Sequence, residues 1–178
     1  LQQVVAGSLK NEEGETIYLE NNRLQAVSDI LDETDGKVVI FAVFRTDIER
    51  LAEMLQEKYG KNSVATYYGE TPQNERQNII TRFQDPDSEL KYFISNPQTG
   101  GRGITLTEAN VIIYYSNSYD LELRIQSEDR IHRIGQNNSC TYIDLVAKDT
   151  VDEKILKTLL NKVKISNEVL GEVRQWFD

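Results

Sequence analysis

The chain has 178 residues, 39% of them apolar and 28% charged, the composition of a single globular domain rather than a disordered segment. No apolar run approaches the ~18 residues a membrane helix needs and no signal peptide is visible; one cysteine, Cys140, and one histidine exclude an internal disulfide, fit a reducing intracellular compartment and argue against a metal site. The net charge of −9 excludes a uniformly basic nucleic-acid surface, but residues 1–36 carry −6 of it and the other 142 only −3, so any nucleic-acid contact is local.

Residues 1–20 have weak periodicity and a turn-like N-E-E-G-E at Asn11 to Glu15, which reads as a connector or short hairpin. Asn21 and Asn22 offer caps for a helix with Leu24, Val27, Ile30 and Leu31 inward, closed by Asp35-Gly36. V-V-I-F-A-V-F, Val38 to Phe44, is a continuous apolar run of the kind found in buried parallel strands. Arg45 follows, then T-D-I-E, Thr46 to Glu49, a capping box that opens a helix with Ile48, Leu51, Ala52, Met54 and Leu55 inward. This βα unit puts Arg45 and Thr46 at the carboxyl end of a strand, the edge where open parallel sheets bind ligands, although an ordinary loop arginine fits as well. A second strand, Ser63 to Tyr68, leads to Gly69-Glu70-Thr71-Pro72, with Thr71 as N-cap and Pro72 in the first turn of a helix that ends before Asp85-Pro86. Lys91 to Ser95 is a third strand.

The next loop is N-P-Q-T-G-G-R-G-I-T-L-T, Asn96 to Thr107. Gly100, Gly101 and Gly103 would let the backbone approach a ligand and aim its N–H groups at phosphate oxygens, or would simply make a flexible turn. No G-x-x-x-x-G-K-[ST] loop occurs in the chain. After a fourth strand, Asn110 to Tyr115, Ser118 can cap a helix running through Q-S-E-D-R-I-H-R-I-G-Q, Gln126 to Gln136, with Gly135 as its stop. In a helix Gln126, Arg130 and Arg133 share one face, and two guanidiniums one turn apart suit a polyphosphate. The same spacing also serves a solvated face with Glu128 and Asp129 as ion-pair partners. A fifth strand, Ser139 to Ala147, holds Cys140 as a small buried apolar residue. A second capping box, Thr150 to Glu153, then opens an amphipathic helix with Val151, Ile155, Leu159 and Val163 on one side, and Trp176 and Phe177 are placed to dock on the body or a partner. Strands alternating with helices predict an α/β fold: an open, mainly parallel sheet with helices on both faces.

Four segments in this order, V-V-I-F-A-V-F-R-T-D-I-E-R-L, Y-Y-G-E-T-P-Q-N-E-R, the Gly-rich loop and Q-S-E-D-R-I-H-R-I-G-Q, resemble the C-terminal RecA-like (P-loop NTPase-like) lobe of superfamily-2 helicases. More narrowly, the chain resembles the Swi/Snf-like DNA-dependent ATPases over residues 20–165, and among them the compact phage and bacterial members. The resemblance implies a connector over residues 1–20, the lobe over 21–148 and a brace-like helix over 149–178. It implies a two-lobed motor that binds ATP and Mg²⁺ between its lobes and moves along duplex DNA. Arg130 and Arg133 would be arginine fingers, positioned by Gln126, with Gly101, Gly103, Thr105 and Asp129 also on the nucleotide side and Asp129 holding the fingers by ion pair. His132 would couple the two sites or serve the fold. Arg45, Thr46, Gly69, Thr71, Gln98, Thr99 and Gly100 would lie along the DNA backbone, where amides and hydroxyls grip phosphates without reading sequence. Gln98 and Thr105 depart from the arginine and asparagine usual in eukaryotic members and agree with the phage-like group. The phosphate-binding loop and magnesium-holding D-E-x-H segment of the family belong to the N-terminal lobe, so ATP and Mg²⁺ would be held mainly there and the isolated chain is expected to be inactive. Two other functions suit the same fold: a lobe of a strand-separating helicase, and a RecA-like binding module that never meets ATP.

Overall fold

The computed structural model describes residues 1–11, 13–19, 21–100 and 103–175. In chain order its elements are α1 (Gln2–Ala6), β1 (Ser8–Lys10), β2 (Thr16–Tyr18), α2 (Arg23–Asp32), β3 (Lys37–Phe41), α3 (Arg45–Tyr59), β4 (Val64–Tyr67), α4 (Gln73–Gln84), β5 (Tyr92–Ser95), α5 (Pro97–Gly100), β6 (Ala109–Tyr114), α6 (Leu121–Glu128), β7 (Thr141–Asp144) and α7 (Val151–Gln175).

The apolar run after Gly36 becomes β3, buried at every position. Alternate side chains of a strand point to opposite faces, so an unbroken apolar run must be covered on both. Val38, Ile40 and Ala42 pack with Val27 and Leu31 of α2 and with Ile48, Leu51, Ala52 and Leu55 of α3. Val39 and Phe41 pack on the other face with Ile79 and Phe83 of α4, Leu106 and Ile131. β3 is central in a five-stranded sheet of order β4-β5-β3-β6-β7, with every neighbouring pair parallel. This is the α/β architecture expected from the alternating pattern. Cys140 is half-buried and packs at the margin of the second core. Because the strands run the same way, their carboxyl ends share one edge, and the turns after β3, β4, β5 and β6 all open there.

Lys37 shows how a buried charge is accommodated. Its ammonium reaches the free carbonyls at the end of α4, donating to Phe83 O at 2.8 Å, to Arg82 O at 3.4 Å and to Asp85 O. Arg23 does similar service elsewhere: it donates to Tyr115 O and pairs with Asp152 at the start of α7, joining α2, the end of β6 and α7. Thr150 caps α7 by accepting the Asp152 N–H at 3.2 Å, but no bond between Glu153 and Thr150 completes the expected capping box among the described residues. The inward stripe of α7 fades along its length: Ile155 and Leu159 are buried, whereas Val163 is exposed. Trp176 and Phe177 lie outside the described residues.

Residues 1–19 do contain the short hairpin, an antiparallel β1–β2 pair, but the segment is also fastened to the sheet and helices that follow. Ala6, Gly7 and Ser8 are buried. Asn21 Nδ2 and Tyr115 Oη donate to Ala6 O at 2.9 and 3.3 Å, Arg50 Nη1 donates to Gly7 O at 3.0 Å, and Ser8 Oγ lies 3.1 Å from Thr46 Oγ1. Gly7 has φ of 102°, and a Cβ there would stand 2.0 Å from Asn21 Nδ2, so only glycine fits.

Beside this junction lies Asp47, 1% exposed, with neither carboxylate oxygen hydrogen-bonded. Burial pushes its pKa up to about 7, against the pull of Arg23 and Arg50. Tyr115, facing the same group, is itself pushed up to about 12, by burial first and by the Asp47 charge second. An unfolded aspartate ionises near ~4. Between those values the folded chain holds a proton on Asp47 that the unfolded chain releases, so the contribution of this group to stability is greatest below pH ~4 and falls until about pH 7. Asp47→Asn is therefore expected to match wild type near pH 4 and to exceed it by about 1–4 kcal/mol at pH 8. Urea unfolding from pH 4 to 8 measures this, and a variant weaker than wild type at pH 8 would contradict it.

Candidate functional site

Helix α6 is capped by Asp120, whose Oδ1 accepts the Leu123 N–H at 3.1 Å; Ser118, the expected cap, lies further upstream and accepts the Asp120 N–H. The helix ends at Glu128, so Arg130 and Arg133 do not share a helical face with Gln126 as the spacing predicted. The reason is a long-range bond. Leu106 N–H donates to Arg130 O at 2.9 Å, and Ile131 turns into the core with no exposure. Past Glu128 the chain tightens, with Arg130 N–H on Ser127 O and Arg133 N–H on Ile131 O, and Gly135 takes φ of 106° where the chain reverses.

This tight turn meets the Gly-rich loop. Arg130 Nε donates to Gln126 O at 2.9 Å and its Nη1 to Ile104 O at 3.3 Å, so the guanidinium joins helix end to loop. Arg133 is exposed and its side chain makes one bond among the described residues, from Nη1 to Thr105 Oγ1 at 3.0 Å. Of its five N–H donors, four are left for a ligand or water. Gln126 donates to Glu122 at 2.7 Å, while its Oε1 is buried without a partner. Asp129 does not hold the arginines: it makes no ion pair among the described residues and faces solvent. Arg124 instead pairs with Glu128 and Asp144, donates to Asn117 Oδ1 at 2.9 Å and lies 3.5 Å from the Tyr114 ring centroid. Burial pushes the Tyr114 phenol above its ordinary range, keeping it neutral against Ser127 Oγ at 2.7 Å. Gly103 has φ of 68°; Gly101 lies outside the described residues.

The carboxyl edge carries the other group. Arg45 is exposed and pairs with both Glu49 and Glu70. The Thr46–Glu49 capping box does not form: α3 begins at Arg45, and the Thr46 hydroxyl meets Ser8 instead. Thr71 does not cap α4 either. Its hydroxyl donates to Thr66 O at 3.1 Å and accepts the Tyr68 N–H at 3.0 Å, and its own N–H donates to Tyr68 O, so both its donors are committed within the turn. Gly69 is exposed with no neighbour within 4 Å of a built Cβ. The start of the Gly-rich segment is the helical turn α5, with Gln98 exposed, Thr99 N–H on Asn96 Oδ1 at 2.9 Å and Gly100 buried. Arg124, Gln136 and Asp120 are the structural residues that spacing did not single out. Asp120 alone had a local signal, an acid just before a helical run.

Known proteins resemble this arrangement. The helicase conserved C-terminal domain family matches residues 22–135. Human SWI/SNF-related matrix-associated actin-dependent regulator of chromatin subfamily A member 1 is 30% identical over 146 residues, 81% of this chain and 14% of that protein. The ISWI chromatin-remodeling complex ATPase ISW1 of Saccharomyces cerevisiae is 31% identical over 146 residues, 81% of this chain and 13% of the relative. The crystal structure of the C-terminal part of the Fun30 ATPase domain superposes with a TM-score of 0.70 at 28% identity, covering 80% of this chain and 48% of that one. The chain thus spans about a seventh of the length of these two curated relatives.

Gly100 gives a direct test of how the Gly-rich segment is seated. A Cβ there would lie 2.4 Å from Ser95 Oγ and 3.0 Å from Phe41 Cε1. Gly100→Ala is expected to cost about 1–3 kcal/mol of stability, whereas Gly69→Ala, in open space, should change it by less than ~0.5 kcal/mol. Denaturant melts of the two variants make the comparison, and equal stability would show that α5 is not packed this closely.

Proposed function

The chain belongs to the helicase conserved C-terminal domain family, in its Swi/Snf-like branch, and we propose that it is the second motor lobe of an ATP-dependent DNA translocase. In that role it would present arginine to ATP bound mainly by an N-terminal lobe, and would grip DNA by its phosphates.

The observation that carries this reading is Arg133, an exposed guanidinium with most of its donors unengaged, set on a tight turn that is locked to the Gly-rich loop. A cation held rigidly in that way stabilises charge on a phosphoryl group without needing to reorganise. Arg130 is suited to a different share of the work. Two of its N–H groups already hold backbone carbonyls, so it fixes the turn and offers its remaining donors to phosphate. The unpartnered Gln126 Oε1 marks a polar position awaiting a donor. Thr105 and Gly103 fit beside Arg133, and Asp129 would contribute negative charge near the site rather than a direct tether. Mg²⁺, like ATP, would be held mainly by the N-terminal lobe.

DNA contact is proposed at the carboxyl edge. Gly69, Gln98 and Thr99 present open backbone or side-chain groups there, while Arg45 would exchange its glutamate partners for phosphate. Such exposed ion pairs are worth only ~0–1 kcal/mol each, so the exchange is cheap. Thr71 and Gly100 would shape the edge, and Thr46 would contribute through its backbone at the start of α3. Gln98 and Thr105 are the residues that suggest a phage-like or bacterial motor.

In a protein joining this chain to its N-terminal lobe, duplex DNA is expected to stimulate ATP hydrolysis, and Arg133→Ala to lower kcat by about 10³-fold or more. The isolated chain should show no turnover. Stimulation mainly by single strands would favour a strand-separating helicase, and an Arg133→Ala protein with full activity would overturn the assignment.

A further inference from the structure

We propose that Gln136 is a positioning residue for Arg133, closing the arginine-bearing turn onto the Gly-rich loop; this rests on the role given to Arg133 above. The turn from Ile131 to Gln136 has two anchors. At its start, Leu106 N–H holds Arg130 O and Ile131 is buried. At its end, Gln136 Nε2 donates to Ala109 O at 2.7 Å and to Thr107 O at 3.0 Å, with Ile131 O at 3.4 Å sharing the same amide. Its Oε1 accepts the Asn138 N–H at 2.9 Å, so both ends of the amide are engaged.

Between the anchors, His132, Arg133, Ile134 and Gly135 are all exposed and have no core contact to hold them. The Gln136 N–H donates to Arg133 O at 2.9 Å, which ties the backbone of the arginine directly to the residue that clasps the loop. The loop itself is a firm base. Gln84 of α4 donates to Thr107 Oγ1 at 3.1 Å and accepts the Glu108 N–H at 3.2 Å. Two glutamines therefore grip residues 107–109, one from a helix and one from the turn. Without the Gln136 side chain the far end of the turn loses its clasp on residues 107–109; the backbone of Arg133 is then bonded only within the turn, and its one side-chain bond, to Thr105, is exposed. A small displacement of a group that acts on a transition state can lower rate ~10²-fold while leaving substrate binding nearly intact.

The chemistry required at position 136 is a long side chain with donors for clustered carbonyls. Lys37 meets such a cluster at the end of α4, so lysine can serve at position 136 as well. In the two-lobed protein, Gln136→Met is expected to lower DNA-stimulated kcat at least tenfold with the KM for ATP within about twofold. Gln136→Lys should restore most of that loss. Gln136→Asn, which keeps the amide but shortens its reach, should fall between them and covers the case in which the methionine protein fails to fold. A role in folding alone would lower thermal stability and leave the kcat of folded molecules unchanged, which would overturn the proposal. So would a lysine variant no better than methionine. Arg133→Ala run alongside separates the two levels: if it abolishes turnover while Gln136→Met turns over at the wild-type rate, the positioning role fails and the motor reading stands. If Arg133→Ala is fully active, the motor reading fails and the positioning role with it.

Discussion

The bond from Leu106 N–H to Arg130 O decides the shape of the candidate site. A helix continuing past Glu128 would need its carbonyls pointing along its own axis. Arg130 O instead points sideways into the Gly-rich loop, and Ile131 is drawn into the core beneath Val39, Phe41 and Leu106. Helix propensity differs by only a few tenths of a kcal/mol among ordinary residues, whereas burying isoleucine is worth ~1.5–3 kcal/mol. Tertiary packing therefore wins, and the arginines stand on a turn. A turn would also suit the proposed chemistry better than a helix. It gives Arg130 to the backbone of helix and loop and leaves Arg133 outside, so one cation fixes the geometry and the other is available.

What could be read from the chain follows from which forces are local. The five sheet strands were legible because apolar runs bounded by polar turns have few other destinations in a chain this size. The helices beyond them were legible from the 3.6-residue apolar period. Capping was not, where another hydrogen-bond partner competed. The Thr46 hydroxyl goes to Ser8, thirty-eight residues upstream, and Thr71 folds back on Thr66 instead of capping α4. The end of α6 was missed for the same reason, because its cause lies at Leu106. Arg124 shows the limit most clearly: nothing in L-E-L-R-I predicts that its guanidinium will lie over Tyr114 and pair with Asp144 on a neighbouring strand. The association of the Gly-rich loop with the arginine motif was implied by the resemblance, but their physical joint, through Gln136 and Thr105, is visible only in three dimensions.

The uneven charge is also resolved by position. Much of the chain's excess acid lies in its first 36 residues, away from the arginine turn in sequence. Residues 6–8 are nevertheless buried against α2, α3 and Tyr115. Their contacts are made largely through backbone carbonyls, which accept from Asn21, Arg50 and Tyr115 whatever side chains the segment carries. That explains how residues outside the part matched by the family can be part of the folded unit without any recognisable motif.

The proposed DNA edge and the arginine turn are mechanically continuous. Gly100, at the end of α5, sits against Ser95 and Phe41; Phe41 stacks on Tyr114 at 5.6 Å; the Tyr114 hydroxyl meets Ser127 of α6 at 2.7 Å. Arg124 covers the Tyr114 ring and ties α6 to β7. Each contact in this series is buried and close-packed, and interiors packed at that density transmit displacement rather than absorb it. A phosphate that pulled α5 would carry α6 and its turn with it. Under the proposed function, the chain would therefore respond to DNA as one rigid body: nucleotide and nucleic acid would communicate by changing the placement of this lobe against the other, with the arginine moved into or out of register as a unit. An internal relay would need an element with two stable arrangements. The double clasp of Gln84 and Gln136 on residues 107–109 works against one, since it holds the turn and the loop in a single geometry.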